Sequence, residues 1–267
     1  MSSKLKLQQG VYLRKVYWIS LLVGTILALI YTFESCYMGF MGFLSHIFSS
    51  SIAGASVATS IFALKKYWEG LDSRLTRVWL YFALGLILLF LGELTRGIYA
   101  LALNVAIPYP SIADAFWLVS YIPFLSALIS YLSLVQPAIS KRIREVSYAT
   151  VLVNATVFSY LFIIPAAFSE GNTLTRIINI AYPSLDLILL AFSIEGLLVF
   201  TTTRLKGKID KVWILLSAGI LMKVIADSLF SYATARNTYY NGHPLELFFQ
   251  FGYLSFLTAF YVHTKEL

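Results

Sequence analysis

Apolar and polar residues are arranged along this chain in long blocks. Eight apolar runs, each roughly the length of a membrane crossing, cover approximately residues 16–31, 50–64, 78–103, 112–135, 147–168, 177–200, 212–235 and 245–262. About 20 residues of α-helix span a hydrocarbon core of about 30 Å. The runs are rich in Leu, Ile, Ala and Phe and show no period of two, which predicts helices rather than barrel strands. We therefore expect an all-α integral membrane protein with eight transmembrane helices.

The composition supports this prediction and leaves no segment for a separate soluble domain. Of 267 residues, 59% are hydrophobic and only 12% are charged, whereas a soluble domain is about 25% charged. In a soluble protein the net charge of +7 would favour a nucleic-acid partner. Here the Lys and Arg residues lie in short segments between apolar runs, so we expect no nucleic-acid partner. We predict a single membrane domain, residues 1–267, surrounded by membrane lipids.

The basic residues alternate between the two ends of the predicted bundle. Nearly all of them lie in the N-terminal segment, in residues 65–77, 141–145 and 204–211, and in the C-terminal segment. The alternate connections hold almost none, and one of them is expected to contain Glu34 and His46 ahead of the second helix. Because basic loops stay on the cytoplasmic side, the pattern predicts a multi-pass protein of the cell membrane. Both the N-terminus and the C-terminus are expected in the cytoplasm.

The chain also resembles itself when it is shifted by 134 residues. The shift places Arg77-Val78-Trp79 on Lys211-Val212-Trp213, Gly85 on Gly219, Glu93 on Asp227, and Pro110 on Pro244. The third and fourth helices therefore look like a diverged copy of the seventh and eighth. We predict a tandem repeat of four plus four helices, with halves 1–138 and 139–267. A block with an even number of helices repeats in parallel, about an axis along the membrane normal.

Seven ionisable residues interrupt the apolar runs or stand at their outer ends. They are Glu93, Arg96, Asp114, Asp186, Lys223, Asp227 and Glu246. Charged groups are costly in hydrocarbon, so these residues should either have partners or line a wet cavity. Glu93 and Arg96 are three residues apart, and Lys223 and Asp227 are four apart, which places each pair on one helix face.

Two interpretations of these seven residues are open. In the first, the acids pair with Arg96, Lys223 and hydroxyl groups and fix how the helices pack, because polar groups hold membrane helices together. In the second, they line a polar pocket that opens to the outside and binds a ligand. The acids outnumber the two cations, so some acids should be solvated, protonated or in contact with a ligand. This excess favours the pocket.

The sequence offers little support for catalysis or for a cofactor. It contains no H-E-x-x-H motif, Gly-rich phosphate loop or zinc spacing, and its single cysteine, Cys36, excludes an internal disulfide. His46, His243 and His263 are all expected near helix ends, which argues against a haem held between two helices. A retinal-type lysine at Lys223 and an intramembrane aspartyl protease are weaker alternatives. We predict no catalytic residue, no metal site and no cofactor.

Three short segments resemble a known family. PSIADAFWLVSY (110–121), AYPSLDLILLA (181–191) and ADSLFSY (226–232) are similar to segments of the multi-helix N-terminal membrane sensor modules of bacterial diguanylate cyclases and related signalling proteins. The resemblance implies a sensory role, with Asp114, Asp186 and Asp227 at the matching acidic positions. The chain ends soon after the eighth apolar run, so we expect no output domain and a signal that passes to a separate partner.

These observations lead to one expected function and two alternatives. We expect a non-enzymatic sensory or ligand-binding module whose outward-facing polar pocket binds a small molecule and relays to a protein partner in the membrane or cytoplasm. The first alternative is a proton- or cation-coupled small-molecule transporter that uses Glu93 and Asp227 in alternating access. Glu195 is the acid placed to mark its cytoplasmic route. The second alternative is an accessory subunit of a larger membrane complex.

Overall fold

The chain folds into a bundle of long helices. The computed structural model describes residues 3–105, 107–135, 141–168, 172–202, 209–236 and 238–266, and every regular element in these ranges is helical. The long helices of the described ranges are α1 Ser3–Thr32, α2 Met38–Lys66, α3 Arg74–Gly97, α4 Ile112–Val135, α5 Lys141–Phe158, α6 Thr173–Thr202, α7 Ile209–Ala235 and α8 Glu246–Glu266. Helices α1 to α7 contain segments long and apolar enough to cross a membrane. The fold is therefore all-α and compatible with a multi-pass membrane protein.

Helix α2 begins earlier than the sequence predicts. It starts at Met38 rather than near residue 50, because the small polar residues Ser45 and Ser49 recur at helical spacing on a face that is buried. The prediction that His46 lies in a loop near a helix end is therefore wrong. His46 lies in the third turn of α2 and is buried, while Glu34 does lie in the connection after α1.

Helix α5 also begins before its predicted start. Residues 141–145, predicted as a basic loop, form its first turns, where Lys141 Nζ lies 3.8 Å from Glu145 Oε1. This pair has the four-residue spacing that stabilises an exposed helix. The helix continues through a π-helical turn, Ser159–Ile163, and a last turn, Ile164–Ala167.

The remaining connections differ in how much of them is described. After α3 a π-helical turn, Ile98–Ala102, leads into the proline-containing connection to α4. In that connection the Tyr109–Pro110 peptide bond is cis. The predicted basic loop 204–211 falls mostly outside the described residues, which resume at residue 209.

Four helices form the centre of the bundle. Helix α3 packs against α4, and α7 packs against α8. Helix α2 contacts both α3 and α8, whereas α6 contacts both α7 and α4. Helix α1 lies against α8 and α5 against α6, and each has exposed apolar side chains such as Trp18 and Leu152. The central helices therefore carry the core, and the outer helices present an apolar surface suited to lipid.

Aromatic rings fill the core between the central helices. The Phe124 and Phe256 rings stack with their centroids 5.8 Å apart. Each ring also lies against a glycine, since a Cβ atom at Gly85 would lie 2.7 Å from Phe124 and one at Gly219 would lie 2.7 Å from Phe256. Small residues let membrane helices approach closely. The close packing positions the charged residues that follow further along α3 and α7.

Candidate functional site

The first group of buried charges, called here the α3 cluster, consists of Glu93, Arg96 and Glu246. Arg96 lies between the two acids: its Nε is 3.8 Å from Glu93 Oε2, and its Nη2 donates a hydrogen bond to Glu246 Oε2 at 3.2 Å. All three residues are buried. The pair of Glu93 and Arg96 expected from the spacing is therefore observed. Glu246 comes from the first turn of α8 and is a partner that spacing along one helix does not reveal.

Glu246 accepts further hydrogen bonds from two other elements. The Ser45 hydroxyl of α2 donates to its Oε2. The Tyr239 hydroxyl donates to its Oε1 at 2.6 Å, and the Gly242 N–H donates to the same oxygen at 3.1 Å. Tyr239 and Gly242 belong to the connection between α7 and α8. This connection therefore covers the end of the α3 cluster.

The connection between α7 and α8 is held in place by its own side chains and by a glycine. Burial raises the pKa of Tyr239 above its usual value, so its hydroxyl remains a donor at neutral pH. Burial raises the pKa of Tyr240 to about 12, and its hydroxyl donates to the Glu34 carboxylate after α1. Gly242 has a φ of +90°, and a Cβ atom there would lie 2.8 Å from Met41. A glycine is therefore required where the connection meets α2.

Hydroxyl and amide groups extend the α3 cluster to neighbouring helices. The Tyr253 hydroxyl of α8 donates to Glu93 Oε1 at 2.9 Å. The Tyr31 hydroxyl of α1 donates to Ser45 Oγ at 3.0 Å and accepts from Gln250 Nε2 at 2.5 Å. Helices α1, α2, α3 and α8 therefore share one hydrogen-bonded network.

The second group, called here the α7 cluster, consists of Asp186, Lys223 and Asp227 around the hydroxyl of Tyr121. Lys223 Nζ lies 2.5 Å from Asp227 Oδ2, the pair expected from the spacing, and donates to Tyr121 Oη at 3.2 Å. Tyr121 Oη lies 2.5 Å from Asp186 Oδ1 and 3.4 Å from Asp227 Oδ2. One tyrosine of α4 therefore connects charges on α6 and α7.

Asp114 lies outside both clusters. Its Oδ2 accepts hydrogen bonds from the Ser111 N–H at 2.7 Å and the Ser111 hydroxyl at 2.8 Å, as in a capping box at the start of α4. Its Oδ1 accepts from the Tyr182 hydroxyl of α6 at 3.0 Å. Of the seven predicted site residues, the structure thus gathers six into two clusters and places Asp114 at a helix start.

Helix α8 contacts the elements that carry both clusters. Its Tyr253 hydroxyl donates to Glu93 of the α3 cluster, and the helix packs against α7, which carries Lys223 and Asp227. At Gly252 the two helices approach closely, since a Cβ atom there would lie 3.2 Å from the Gly219 main-chain oxygen of α7. Helix α8 therefore joins the two clusters structurally.

Negative groups outnumber positive groups in the two clusters. Four carboxyl groups, two in each cluster, share the cations of Arg96 and Lys223. If all four were ionised, two negative charges would be uncompensated among apolar helices, which is costly. Some of the four carboxyl groups are therefore expected to be protonated. Binding or release of a proton or an ion would then change the charge of the clusters.

Reasoning from the sequence alone overlooked the uncharged members of the site. The charge pattern does not single out Tyr121 or Tyr253. A signal was nevertheless present, because each of these tyrosines follows an acid, Asp114 or Glu246, by seven residues. Seven residues are about two helical turns, so the acid and the tyrosine share one face. Such a repeated spacing identifies the tyrosines as candidates.

The fold and the site are compatible with one class, namely multi-pass helical membrane proteins with charged side chains buried between central helices. Comparison with known proteins adds no family to this class, since no family model, curated protein or solved structure matches the chain. Among the described residues, no group of three or more His, Cys, Asp and Glu side chains is placed to hold a metal ion. The function is therefore inferred from the buried charges and their contacts.

Proposed function

We propose that the protein is a non-enzymatic sensory module of the cell membrane, in which a ligand or proton acts on the α3 and α7 clusters and the response passes to a protein partner. One observation carries this proposal. Tyr253 of α8 donates to Glu93 of α3, and Tyr121 of α4 contacts Asp186 and Asp227 of α6 and α7. Each tyrosine thus reaches acids of the other half of the chain, so a charge change in one half alters contacts of the other.

The proposed halves, 1–138 and 139–267, are supported by matched contacts. The ring of Trp79 in α3 lies 4.1 Å from that of His263 in α8, and the ring of Trp213 in α7 lies 3.3 Å from that of Tyr131 in α4. Trp79 and Trp213 are 134 residues apart, and Tyr131 and His263 are 132 apart. A two-residue difference between the connections before α4 and α8 accounts for the change in shift.

The change in shift also pairs the acids at the starts of α4 and α8. At 132 residues, Asp114 falls on Glu246 and Tyr121 falls on Tyr253. Each acid accepts a hydroxyl hydrogen bond from the helix that packs beside it, Asp114 from Tyr182 of α6 and Glu246 from Ser45 of α2. These matched contacts support a tandem repeat of four plus four helices about an axis along the membrane normal.

The proposed orientation places both termini in the cytoplasm. It rests on the basic residues of 65–77 and 141–145, which lie at or beside the ends of α2, α3 and α5. The connection between α7 and α8 then faces outward and covers the α3 cluster. The resemblance to bacterial sensor modules implies a sensory role, and this orientation provides for a small-molecule ligand outside and a partner in the membrane or in the cytoplasm.

Helix α8 provides a direct route between the two ends of the bundle. Its first half carries Glu246 and Tyr253 of the site. At its other end, the His263 main-chain oxygen accepts a hydrogen bond from the Tyr67 hydroxyl at 2.9 Å, and the Thr264 oxygen accepts from Lys66 Nζ at 2.6 Å. A shift of α8 would therefore move the connection between α2 and α3, the proposed partner surface.

Hydrogen–deuterium exchange of residues 67–73 tests this relay. Changing Glu93→Gln or Asp227→Asn in protein reconstituted in nanodiscs should alter exchange in this connection, because each change removes an acid from a cluster that α8 contacts. Glu145→Gln is the matched control, because it makes the same acid-to-amide change in an exposed pair with Lys141. Unchanged exchange at 67–73 in both cluster variants would overturn the relay and leave the acids as packing elements.

A proton- or cation-coupled transporter is the second candidate. Asp227 pairs directly with Lys223, and Asp186 is linked to the same ammonium through the Tyr121 hydroxyl. Two acids beside one cation favour proton release and uptake. Such a transporter also needs a route from the opposite side, where Glu195 of α6 is partly buried. The lumen of proteoliposomes that contain a pH-sensitive dye should acidify under an imposed proton gradient, and it should do so faster with the wild-type protein than with Glu195→Gln. If protein-free liposomes acidify as fast as those with the wild-type protein, this candidate is excluded.

A further inference from the structure

The α3 cluster is bordered by buried polar atoms whose hydrogen-bonding capacity the described residues do not fill. Both ring nitrogens of His46, the Oε1 of Gln250 and the Nε of Arg96 have no hydrogen-bond partner there. The residues are 2%, 0% and 7% exposed, respectively. Buried polar atoms are normally hydrogen-bonded, so each such atom calls for a partner. Four such atoms lie on residues of the α3 cluster or beside it.

The three side chains are held beside one another by contacts to the same neighbours. Arg96 binds Glu246 at 3.2 Å, and Ser45, the residue before His46 in α2, donates to the same carboxylate oxygen. Gln250 follows Glu246 by one turn of α8, and its Nε2 lies 3.4 Å from Ser49 Oγ, less than one turn of α2 from His46. The unfilled atoms therefore come from α2, α3 and α8, on residues of the α3 cluster or next to its members.

The unfilled atoms are balanced between donors and acceptors. A charged side chain is costly among apolar helices, so the buried imidazole of His46 is expected to be neutral. A neutral imidazole carries one N–H donor and one acceptor nitrogen. Arg96 Nε adds a donor, and Gln250 Oε1 adds an acceptor. A partner for this set needs both donors and acceptors.

The carboxylates of the cluster argue against a charged partner. Glu246 already accepts from Ser45, Arg96, Tyr239 and Gly242. Glu93 Oε1 accepts from Tyr253. A cation would have to displace these donors, and an anion would have to approach both acids. The geometry therefore favours an uncharged partner.

We propose that His46, Arg96 and Gln250 form a binding site for a small uncharged molecule that carries both hydrogen-bond donors and acceptors, such as an amide or a hydroxyl compound. The proposal rests on the sensory function above and names its ligand class. The connection between α7 and α8 covers the site, with Gly242 against Met41 and Asn241 against Gly42.

Saturation-transfer difference NMR of the full chain in nanodiscs tests the site with three probes of similar size. Acetamide is uncharged and has both donors and acceptors, acetate is an anion, and methylammonium is a cation. Acetamide should receive saturation from the wild-type protein, whereas acetate and methylammonium should not. His46→Phe and, as a second variant, Gln250→Met should each weaken acetamide binding, by about tenfold where a hydrogen bond to the probe is lost.

His263→Phe is the matched control for these variants. His263 is also buried and also has two ring nitrogens without a hydrogen-bond partner in the described chain, but it stacks on Trp79 near the other end of α8. The His263→Phe variant should bind acetamide as the wild-type protein does. Equal acetamide signals in wild type, His46→Phe and Gln250→Met would overturn the site, as would signals of similar strength from acetate or methylammonium.

The outcome for the site can be separated from the outcome for the relay. In one outcome, acetamide binding depends on His46 while hydrogen–deuterium exchange at residues 67–73 is the same in wild type, Glu93→Gln and Asp227→Asn. In that case the binding site is supported and the sensory relay is excluded. If exchange at 67–73 responds to these two changes while acetamide does not bind, the relay stands and the ligand class is wrong.

Discussion

At the scale of single residues, the central feature is that each buried cation has polar partners on more than one helix. Arg96 of α3 contacts Glu93 on its own helix and Glu246 on α8. Lys223 of α7 contacts Asp227 on its own helix and the Tyr121 hydroxyl of α4. Removing one partner of a buried ion pair leaves an uncompensated charge, which costs more than the pair itself contributes. The cations are therefore the residues on which the clusters depend most.

Arg96→Met should destabilise the protein strongly. It leaves Glu93 and Glu246 buried without their cation, which we expect to cost about 3 to 5 kcal/mol of unfolding free energy. Arg236→Met is the matched control, since Arg236 is exposed and lies over the Tyr232 ring at 4.6 Å. Its expected cost is below about 1 kcal/mol. Unfolding in mixed detergent–SDS micelles measures both, and equal costs would contradict the α3 cluster.

Spacing along a helix predicts part of the site, and distant contacts provide the rest. The pairs Glu93–Arg96 and Lys223–Asp227 follow from separations of three and four residues. The contact of Arg96 with Glu246 joins residues 150 apart, and no local pattern encodes it. His46 could not be placed, because Ser and His residues before residue 50 resemble a loop by composition although their helical spacing buries them in α2.

At the scale of helices, two glycines allow the central pairs to pack closely. A Cβ atom at Gly85 or Gly219 would enter the ring of Phe124 or Phe256, and these rings stack on each other. The helix pairs α3–α4 and α7–α8 therefore use the same device. The length of the apolar runs predicted these helices but not which of their faces meet. A side chain that faces lipid is as apolar as one that faces the bundle core, so the sequence pattern does not distinguish the two.

Gly85→Ala and Gly219→Ala should destabilise the protein to a similar degree. Each added methyl group overpacks the core, at an expected cost of about 1 to 3 kcal/mol. Gly39→Ala is the control, because Gly39 lies in α2 with nothing within 4 Å of its Cβ position. This change should stabilise the helix slightly, by about 0.5 to 1 kcal/mol. Thermal unfolding in detergent measures all three, and no loss in either core variant would contradict the packing.

At the scale of the whole molecule, the fold class was predictable and the arrangement was not. Run length and composition predict an all-α chain with eight transmembrane helices. The described ranges contain eight long helices, of which α1 to α7 include segments long and apolar enough to cross a membrane. The mutual contacts of α2 with α3 and α8, and of α6 with α7 and α4, depend on side-chain shape. The proposed membrane orientation and the proposed repeat both concern the arrangement of the whole molecule, and the orientation can be tested by labelling.

Labelling of the single cysteine tests the proposed orientation. Cys36 is exposed in the connection between α1 and α2, so a maleimide that cannot cross membranes should label it in intact cells. In a Cys36→Ser background, Asp72→Cys places the thiol in the connection between α2 and α3 and should be labelled only after the cells are permeabilised. The reverse pattern would show that the termini lie outside.

The proposed function depends most on the α3 and α7 clusters acting as one unit. A double-mutant cycle of Glu93→Gln and Asp227→Asn measures this directly, because each change removes one ionisable carboxyl group while keeping the shape of the side chain. Unfolding free energies of the wild type, both single variants and the double variant should give an interaction of about 0.5 to 3 kcal/mol. Additivity to within about 0.3 kcal/mol would contradict the account, since it would make the two clusters independent.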